Sequence, residues 1–289
     1  MAPTSSLNSA GAALLVFEPE AEYRRHSLAG YWGPVTSSID WCERNYVVTP
    51  FIAEFFNTLS NLGMIVLGLS AMYLHAREGM EARYVVAAFT LFLIGVGSAA
   101  FHGTLTHIGQ QGDETPMVIG SAVWLWCLAF SDPAFEAKHP KLGSRCAWLL
   151  GAFVALFGYM HFLYSFVAVF QVLIALMVST MVFTLTRMWR NSIDRRRSGW
   201  LFAIYLGSIL IALPLWIIDQ HFCVHLHSLP GGLPNPQFHA WWHLLMGANC
   251  YMGPIIHAPI RLVALGKKPS VRYWLGVLPY VQYIDGRKL

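Results

Sequence analysis

The sequence predicts an all-α integral membrane protein, a bundle of seven transmembrane helices with the N-terminus lumenal or outside and the C-terminus cytosolic. Three observations carry this. First, 56% of the 289 residues are hydrophobic and only 12% are charged, against roughly 25% charged in a soluble domain. Second, seven apolar stretches recur along the chain, to be matched against the roughly 20 helical residues that cross a bilayer core. Third, basic residues are unevenly shared between the loops. Sixteen of the nineteen Lys and Arg fall on one side of a seven-span layout, and only Arg24, Arg25 and Arg44 on the other. The positive-inside rule then places the C-terminus in the cytosol.

Taken in order, residues 1–53 form a polar arm punctuated by Pro and Gly. Its apolar stretch Ala10 to Phe17 is short, lacks a basic flank and runs into Glu18, Glu20 and Glu22, so it does not read as a cleaved signal peptide. Residues 54–265 form one membrane domain. Its spans are expected near Phe55–Ala76, Tyr84–Phe101, Pro116–Phe130, Ala147–Phe162, Phe166–Met188, Trp200–Ile218 and His239–Leu265, with a tight turn at 163–165 between the fourth and fifth. Residues 266–289 form a short basic tail. No internal repeat is evident. The formal charge of +4 is not gathered into a polybasic stripe interleaved with aromatics, so no nucleic-acid partner is expected. No obligate protein partner is expected either.

Ionisable side chains at membrane depth are costly and mark function. Ser98 and His102 close the second span at i,i+4 and so share a helix face. His239 and His243 open the seventh span at the same spacing, by which one helix offers two imidazoles to one metal. The second span ends where the seventh begins, so three imidazoles can converge at one depth. Three protein ligands and an open fourth position form the catalytic zinc pattern, in which zinc makes water a nucleophile near neutral pH. The competing reading is three buried histidines satisfied by hydrogen bonds between helices. Asp113 lies in an expected polar turn, Gly109 to Glu114, entering the third span. A carboxylate there would move protons, or would simply cap the helix. Ser98 would donate to a developing oxyanion, or would bond a backbone carbonyl.

In the arm, Asp40, Glu43, Asn45 and Glu54 are hard oxygen donors at short spacing. With a backbone carbonyl they suit Ca²⁺, which takes six to eight oxygens, although the spacing is not that of an EF-hand. The alternative is a solvated acidic turn with Arg44 as partner.

Together these residues resemble the alkaline ceramidases, relatives of the adiponectin receptors within a membrane hydrolase superfamily. The matching pieces are Ser38-Ile-Asp40-Trp-Cys-Glu43-Arg-Asn45-Tyr46 with Glu54, Gly97-Ser98-Ala-Ala-Phe-His102-Gly with Asp113-Glu114, Trp216-Ile-Ile-Asp219-Gln-His-Phe-Cys223, and His239-Ala-Trp-Trp-His243. The resemblance runs from about residue 30 to 260, and residues 1–30 inherit nothing. It implies seven spans, zinc on His102, His239 and His243, and catalytic roles for Ser98 and Asp113. It also implies calcium on Asp40, the Trp41 carbonyl, Glu43, Asn45 and Glu54. The implied reaction cleaves the amide of ceramide, phytoceramide and dihydroceramide included, to a sphingoid base and a fatty acid, and some members run it backwards. An endoplasmic reticulum or Golgi membrane is the implied location. The substrate, with two long chains and one amide, calls for a wide intramembrane cavity floored by zinc.

Of the five cysteines, Cys127, Cys146 and Cys250 lie in or at the ends of apolar spans, where free Cys behaves as a small hydrophobe. Cys42 and Cys223 both fall on the lumenal side, where thiols tend to pair, and both sit within matched motifs; a disulfide between them is expected. Two other functions compete with the hydrolase. A signalling receptor of the adiponectin-receptor type, with secondary hydrolase activity, would have the reverse topology, against which the basic asymmetry argues. A transporter would more often show a repeat and broken helices near the midplane.

Overall fold

The structure, a computed structural model, describes residues 30–193 and 195–284. The apolar stretch at 10–17 and its signal-peptide reading lie outside the described residues. Among these are seven helices of 23 to 27 residues: α1 (Phe55–Arg77), α2 (Ala82–Thr104), α3 (His107–Ala129), α5 (Leu142–Tyr164), α6 (Val167–Arg190), α7 (Gly199–His221) and α9 (Phe238–Ala264). Two short helices, α4 (Pro133–Lys138) and α8 (Cys223–Leu226), lie in the connections. A long helix covers each expected span, with ends shifted by a few residues except in α3. There the helix begins nine residues before Pro116, so the expected polar turn from Gly109 to Glu114 is helical. The reason is local. Thr106 caps the helix by accepting from the Gly109 N–H at 3.1 Å, which satisfies a donor that a helix start leaves open.

Five of the seven, α1, α2, α5, α6 and α7, are long and apolar enough to cross a membrane. The other two have the length but carry polar side chains: Gln110, Gln111, Asp113 and Glu114 on α3, and His239, His243, Asn249, His257 and Arg261 on α9. The core lies among α1, α2, α3, α6, α7 and α9 and includes Met64, Tyr84, Leu91, Leu185, Phe202 and Ile255. α5 stands at the rim against α3 with His161 as its one buried residue. Its Trp148 and Leu149 are exposed, as lipid-facing side chains would be.

The all-α expectation is corrected at the tail. Lys268–Trp274 (β1) and Leu278–Ile284 (β2) pair as an antiparallel hairpin, with Lys268 opposite Ile284 and Trp274 opposite Leu278. Both segments are rich in aromatic and β-branched residues, which favour strands. The turn between them is made by Leu275 and Gly276 at positive φ. Val281 is buried in the helical core and Tyr251 on α9 donates to the Pro279 carbonyl at 2.8 Å, so the hairpin closes one end of the bundle.

The helix ends sort into two faces. At the hairpin end Gln282 reaches Glu78 and Tyr283 reaches the Gly79 carbonyl, both between α1 and α2. There Arg261 binds Glu81 and Glu136, and Arg83 binds Glu81 and Glu136 as well. Burial works against the charge on Glu136, but its hydrogen bonds from Arg83 and Arg261 win and hold its pKa below the ordinary carboxylate value. At the opposite end the arm lies across α1, α2, α3 and α7. The Leu105 carbonyl, at the left-handed cap of α2, accepts from Thr36 N and Ser37 N at 3.1 Å each. Ala53 N and Glu54 N donate to the Gly103 and His102 carbonyls at 3.0 and 2.9 Å. A helix end leaves its last carbonyls open; here the arm fills them, and in doing so it delivers Glu54 to His102.

Candidate metal centre

His102, His239 and His243 meet at the arm end, all at most 3% exposed. One ligand nitrogen from each lies within 4.8 Å of the other two, and the ring centroids stand 4.5 to 5.0 Å apart. Several neighbours fix each ring. His102 Nδ1 bonds the Glu54 carboxylate, leaving Nε2 buried without a partner. His243 Nδ1 lies 2.8 Å from Ser60 Oγ and 3.1 Å from the Asn57 carbonyl, turning Nε2 inward. The His239 ring stacks on Trp41 with centroids 3.6 Å apart, and its Nδ1 has no partner. The competing reading, histidines satisfied by one another's helices, does not account for these unpartnered buried nitrogens, since buried polar atoms are nearly always bonded. A carboxylate on the outer nitrogen with a free inner nitrogen is the usual arrangement around a metal-bound histidine. The group can hold a metal ion, and its donors fit zinc, which favours nitrogen ligands.

Ser98 Oγ lies 3.5 Å from His243 Nε2, and its side chain also faces Asp113. Close helix contact makes this possible. A Cβ on Gly97 would sit 1.9 Å from the Gly112 carbonyl oxygen, so only glycine lets α2 and α3 approach here. Pro116, four residues on, has no N–H to offer that carbonyl. The capping role considered for Asp113 belongs to Thr106 instead.

In the arm, Asn45 Nδ2 lies 3.2 Å from both Asp40 carboxylate oxygens. The Glu54 carboxylate accepts from Trp41 N at 2.9 Å and from Asn57 Nδ2 at 3.0 Å. Glu43 accepts from Phe56 N and Asn57 N at 2.7 and 2.8 Å and so covers the start of α1. The cluster is buried, which departs from the solvated acidic turn held open above: Glu43, Asn45 and Glu54 are each at most 6% exposed. Burial pushes both Glu43 and Glu54 up to about 7, although hydrogen bonds to each work the other way. Crowded, desolvated carboxyls of this kind suit a hard cation. Asn45 Oδ1 is also buried without a partner.

Cys42 and Cys223 are joined, with Cα atoms 5.2 Å apart. Beside them sits a residue that the sequence reading quoted but gave no role. Asp219, 2% exposed, accepts from Cys42 N at 3.1 Å and from His239 N at 3.2 Å. It ties the arm, α7 and the start of α9 together at the histidine. A second missed group is His161, which bonds Glu114. Glu114 bonds Gln110, and Gln110 reaches Ser38 N in the arm at 2.7 Å. A carboxylate and a histidine inside apolar spans were the available signals for both.

An internal histidine group inside a bundle of apolar helices defines a class: integral membrane proteins with a buried site that could hold a metal ion. The sequence of the Ceramidase family matches residues 33–282. The chain is 33% identical to an alkaline ceramidase of Arabidopsis thaliana over 256 residues, which cover 88% of this chain and 96% of that one. It is 33% identical to alkaline ceramidase 3 of Mus musculus over 272 residues, 90% and 97% of the two chains. An alkaline ceramidase of Saccharomyces cerevisiae is 30% identical over 308 residues, 90% and 95%. The chain belongs to the alkaline ceramidase family, a family of amidohydrolases.

Proposed function

We propose that the protein is a zinc-dependent intramembrane hydrolase that cleaves the amide of ceramide, or of its phyto- or dihydro- forms, to a sphingoid base and a fatty acid. The observation that carries this is the buried histidine triad with its unpartnered nitrogens and Glu54 behind His102. His102, His239 and His243 hold the metal. When bound, zinc supplies a Lewis acid that polarises the amide carbonyl and makes water acidic enough to react near neutral pH. Glu54 keeps the proton of His102 on Nδ1, so that Nε2 stays a lone pair. Asp113 accepts the proton lost by the attacking water and returns it to the leaving amine. Ser98 donates to the carbonyl oxygen as charge builds there.

In the same reading the arm binds calcium through Asp40, the Trp41 carbonyl, Glu43, Asn45 and Glu54, with the Cys42–Cys223 bridge holding the arm over the histidines. Peptide mapping without reductant reads that bridge directly. All seven long helices cross the membrane, with the arm lumenal and the hairpin cytosolic, in the endoplasmic reticulum or Golgi. Support for this orientation comes from the basic residues concentrated at the hairpin end.

The test is hydrolysis of defined ceramides by the purified protein, with its zinc measured. Wild type should carry about one zinc per chain and release free fatty acid. His239→Ala should lose both. Full zinc and full turnover in His239→Ala would sink the assignment, and zinc without amide cleavage in wild type would favour a receptor.

A further inference from the structure

A cleft of about 1110 Å³ lies between α2, α3 and α5, and none of His102, His239, His243, Ser98 or Asp113 lines it. α3 presents Gln111, Thr115 and Ile119 to it, at a spacing that puts them on one helix face. Facing them, α5 presents the small residues Ala147, Gly151, Ala155 and Gly158. Small side chains make the room: a Cβ on Gly151 would meet nothing within 4 Å. The cleft follows α5 from Ala147 to Phe162, about 22 Å at 1.5 Å per residue. That is long enough for an extended hydrocarbon chain.

The two ends of the cleft differ. At one end Arg83 is already committed to the Phe130 carbonyl, Glu81 and Glu136, so no free charge invites an anion. At the other end Gln111 is 7% exposed, and neither its carboxamide oxygen nor its nitrogen has a partner. An unmet buried donor or acceptor is costly, and this side chain carries both. An occupant that relieves both must give and take a hydrogen bond from the same head. A phosphatidylcholine has no donor to give. A protonated fatty acid or an N-acyl amide has both.

We propose that this cleft is a second lipid site, taking a long-chain lipid whose head both donates and accepts, with the head on Gln111 and the chain along the Ala147–Gly158 stripe. The two sources of that chemistry are a ceramide and the fatty acid cut from it. The site shares no residue with the metal centre, and Gln111 precedes Asp113 by two residues on the same helix. It therefore offers such a lipid a standing place beside the reaction. The choice of these two lipids rests on the hydrolase reading; the site itself does not.

The experiment uses the full chain in phosphatidylcholine nanodiscs. Photoactivatable ceramide and photoactivatable fatty acid, each with the reactive group in the acyl chain, are cross-linked and the adducts are mapped by mass spectrometry. Adducts are expected between residues 142 and 164, and adduct mass distinguishes ceramide from fatty acid. Gln111→Leu should reduce them about tenfold, the size expected when a hydrogen-bonded head loses its partner. Gly151→Trp should abolish them. Photoactivatable phosphatidylcholine should label the stretch less and be indifferent to Gln111→Leu. Should Gln111→Leu not accumulate, Gly151→Trp reads the same cleft. Equal labelling by phosphatidylcholine, adducts insensitive to the variants, or adducts confined to α9 and to the histidine end of α2, residues 98–104, would overturn the proposal. Because the readout is labelling, absence of ceramide hydrolysis would count against the hydrolase reading and leave the cleft result standing.

Discussion

The two ends of the bundle handle buried polarity in opposite ways. At the hairpin end every side-chain nitrogen of Arg261 finds an oxygen: Nε and Nη2 on Glu81, Nη2 on Glu136, and Nη1 on the Phe130 and Ser131 carbonyls. Around Arg261 the charge is met by carboxylates and backbone carbonyls, although one turn away His257 Nε2 is buried without a partner. At the arm end His102 Nε2, His239 Nδ1 and Asn45 Oδ1 are left without partners, beside carboxyls whose charge is opposed by burial. Networks that close on themselves hold a fold together. Networks left open at a shared point can take a group from outside, and here the histidine group could hold a metal ion.

The largest expected effect sharpens the open end. Asp113→Asn keeps the shape but not the base, and turnover should fall by about 10²–10⁴ with zinc retained. If turnover survives, the proton is moved by another group. The closed end predicts the reverse pattern. Arg261→Met leaves the partly exposed Glu81 and Glu136 to share Arg83 alone and strips the Phe130 and Ser131 carbonyls of their donor; it should cost about 2–3 kcal/mol of stability, read as a lower melting temperature, while zinc per folded chain is unchanged. Loss of zinc in that variant would erase the distinction between the two ends. Smaller again is Glu54→Gln, which disturbs the outer nitrogen of His102. Zinc affinity should weaken by about 10–100-fold, measurable by competition with a chelator. The smallest effect concerns the arm. Calcium must displace the proton that Glu43 holds up to about 7, so its affinity should rise as pH climbs towards that value. Calcium binding that does not change with pH, or that survives both Glu43→Ala and Glu54→Ala, would remove calcium from this cluster.

Much of the histidine centre was legible because its signals are local. The i,i+4 pairs Ser98/His102 and His239/His243 announce a shared face, and the order of spans brings the two pairs to one end. The misreadings came from one local cap and from contacts between distant segments. Gly109 to Glu114 has the composition of a turn, yet capping by Thr106 and the close approach of Gly97 to Gly112 make it helix. Glu54 read as an oxygen donor in the arm, and nothing local showed that it stands behind His102, 48 residues away. Asp219 was visible as a carboxylate in an apolar span, but its bonds to Cys42 and His239 join positions 177 and 20 residues apart. α3 and α9 fall short of the apolarity of a span because the site is built on them. The hairpin was missed because a short basic tail offered only its alternation and a Gly turn.

Asp219 also sets an order of events during synthesis. The arm leaves the ribosome first, but the carboxylate that receives Cys42 N arrives 177 residues later, and its other partner, His239 N, 20 residues after that. At about 5–20 residues per second, translation separates these arrivals by roughly 10–40 s. For that interval the first-made segment is held only by the carbonyls that end α2 and by Gln110, and the histidine pocket cannot be complete. The histidine group therefore cannot assemble until the last long helix has been made.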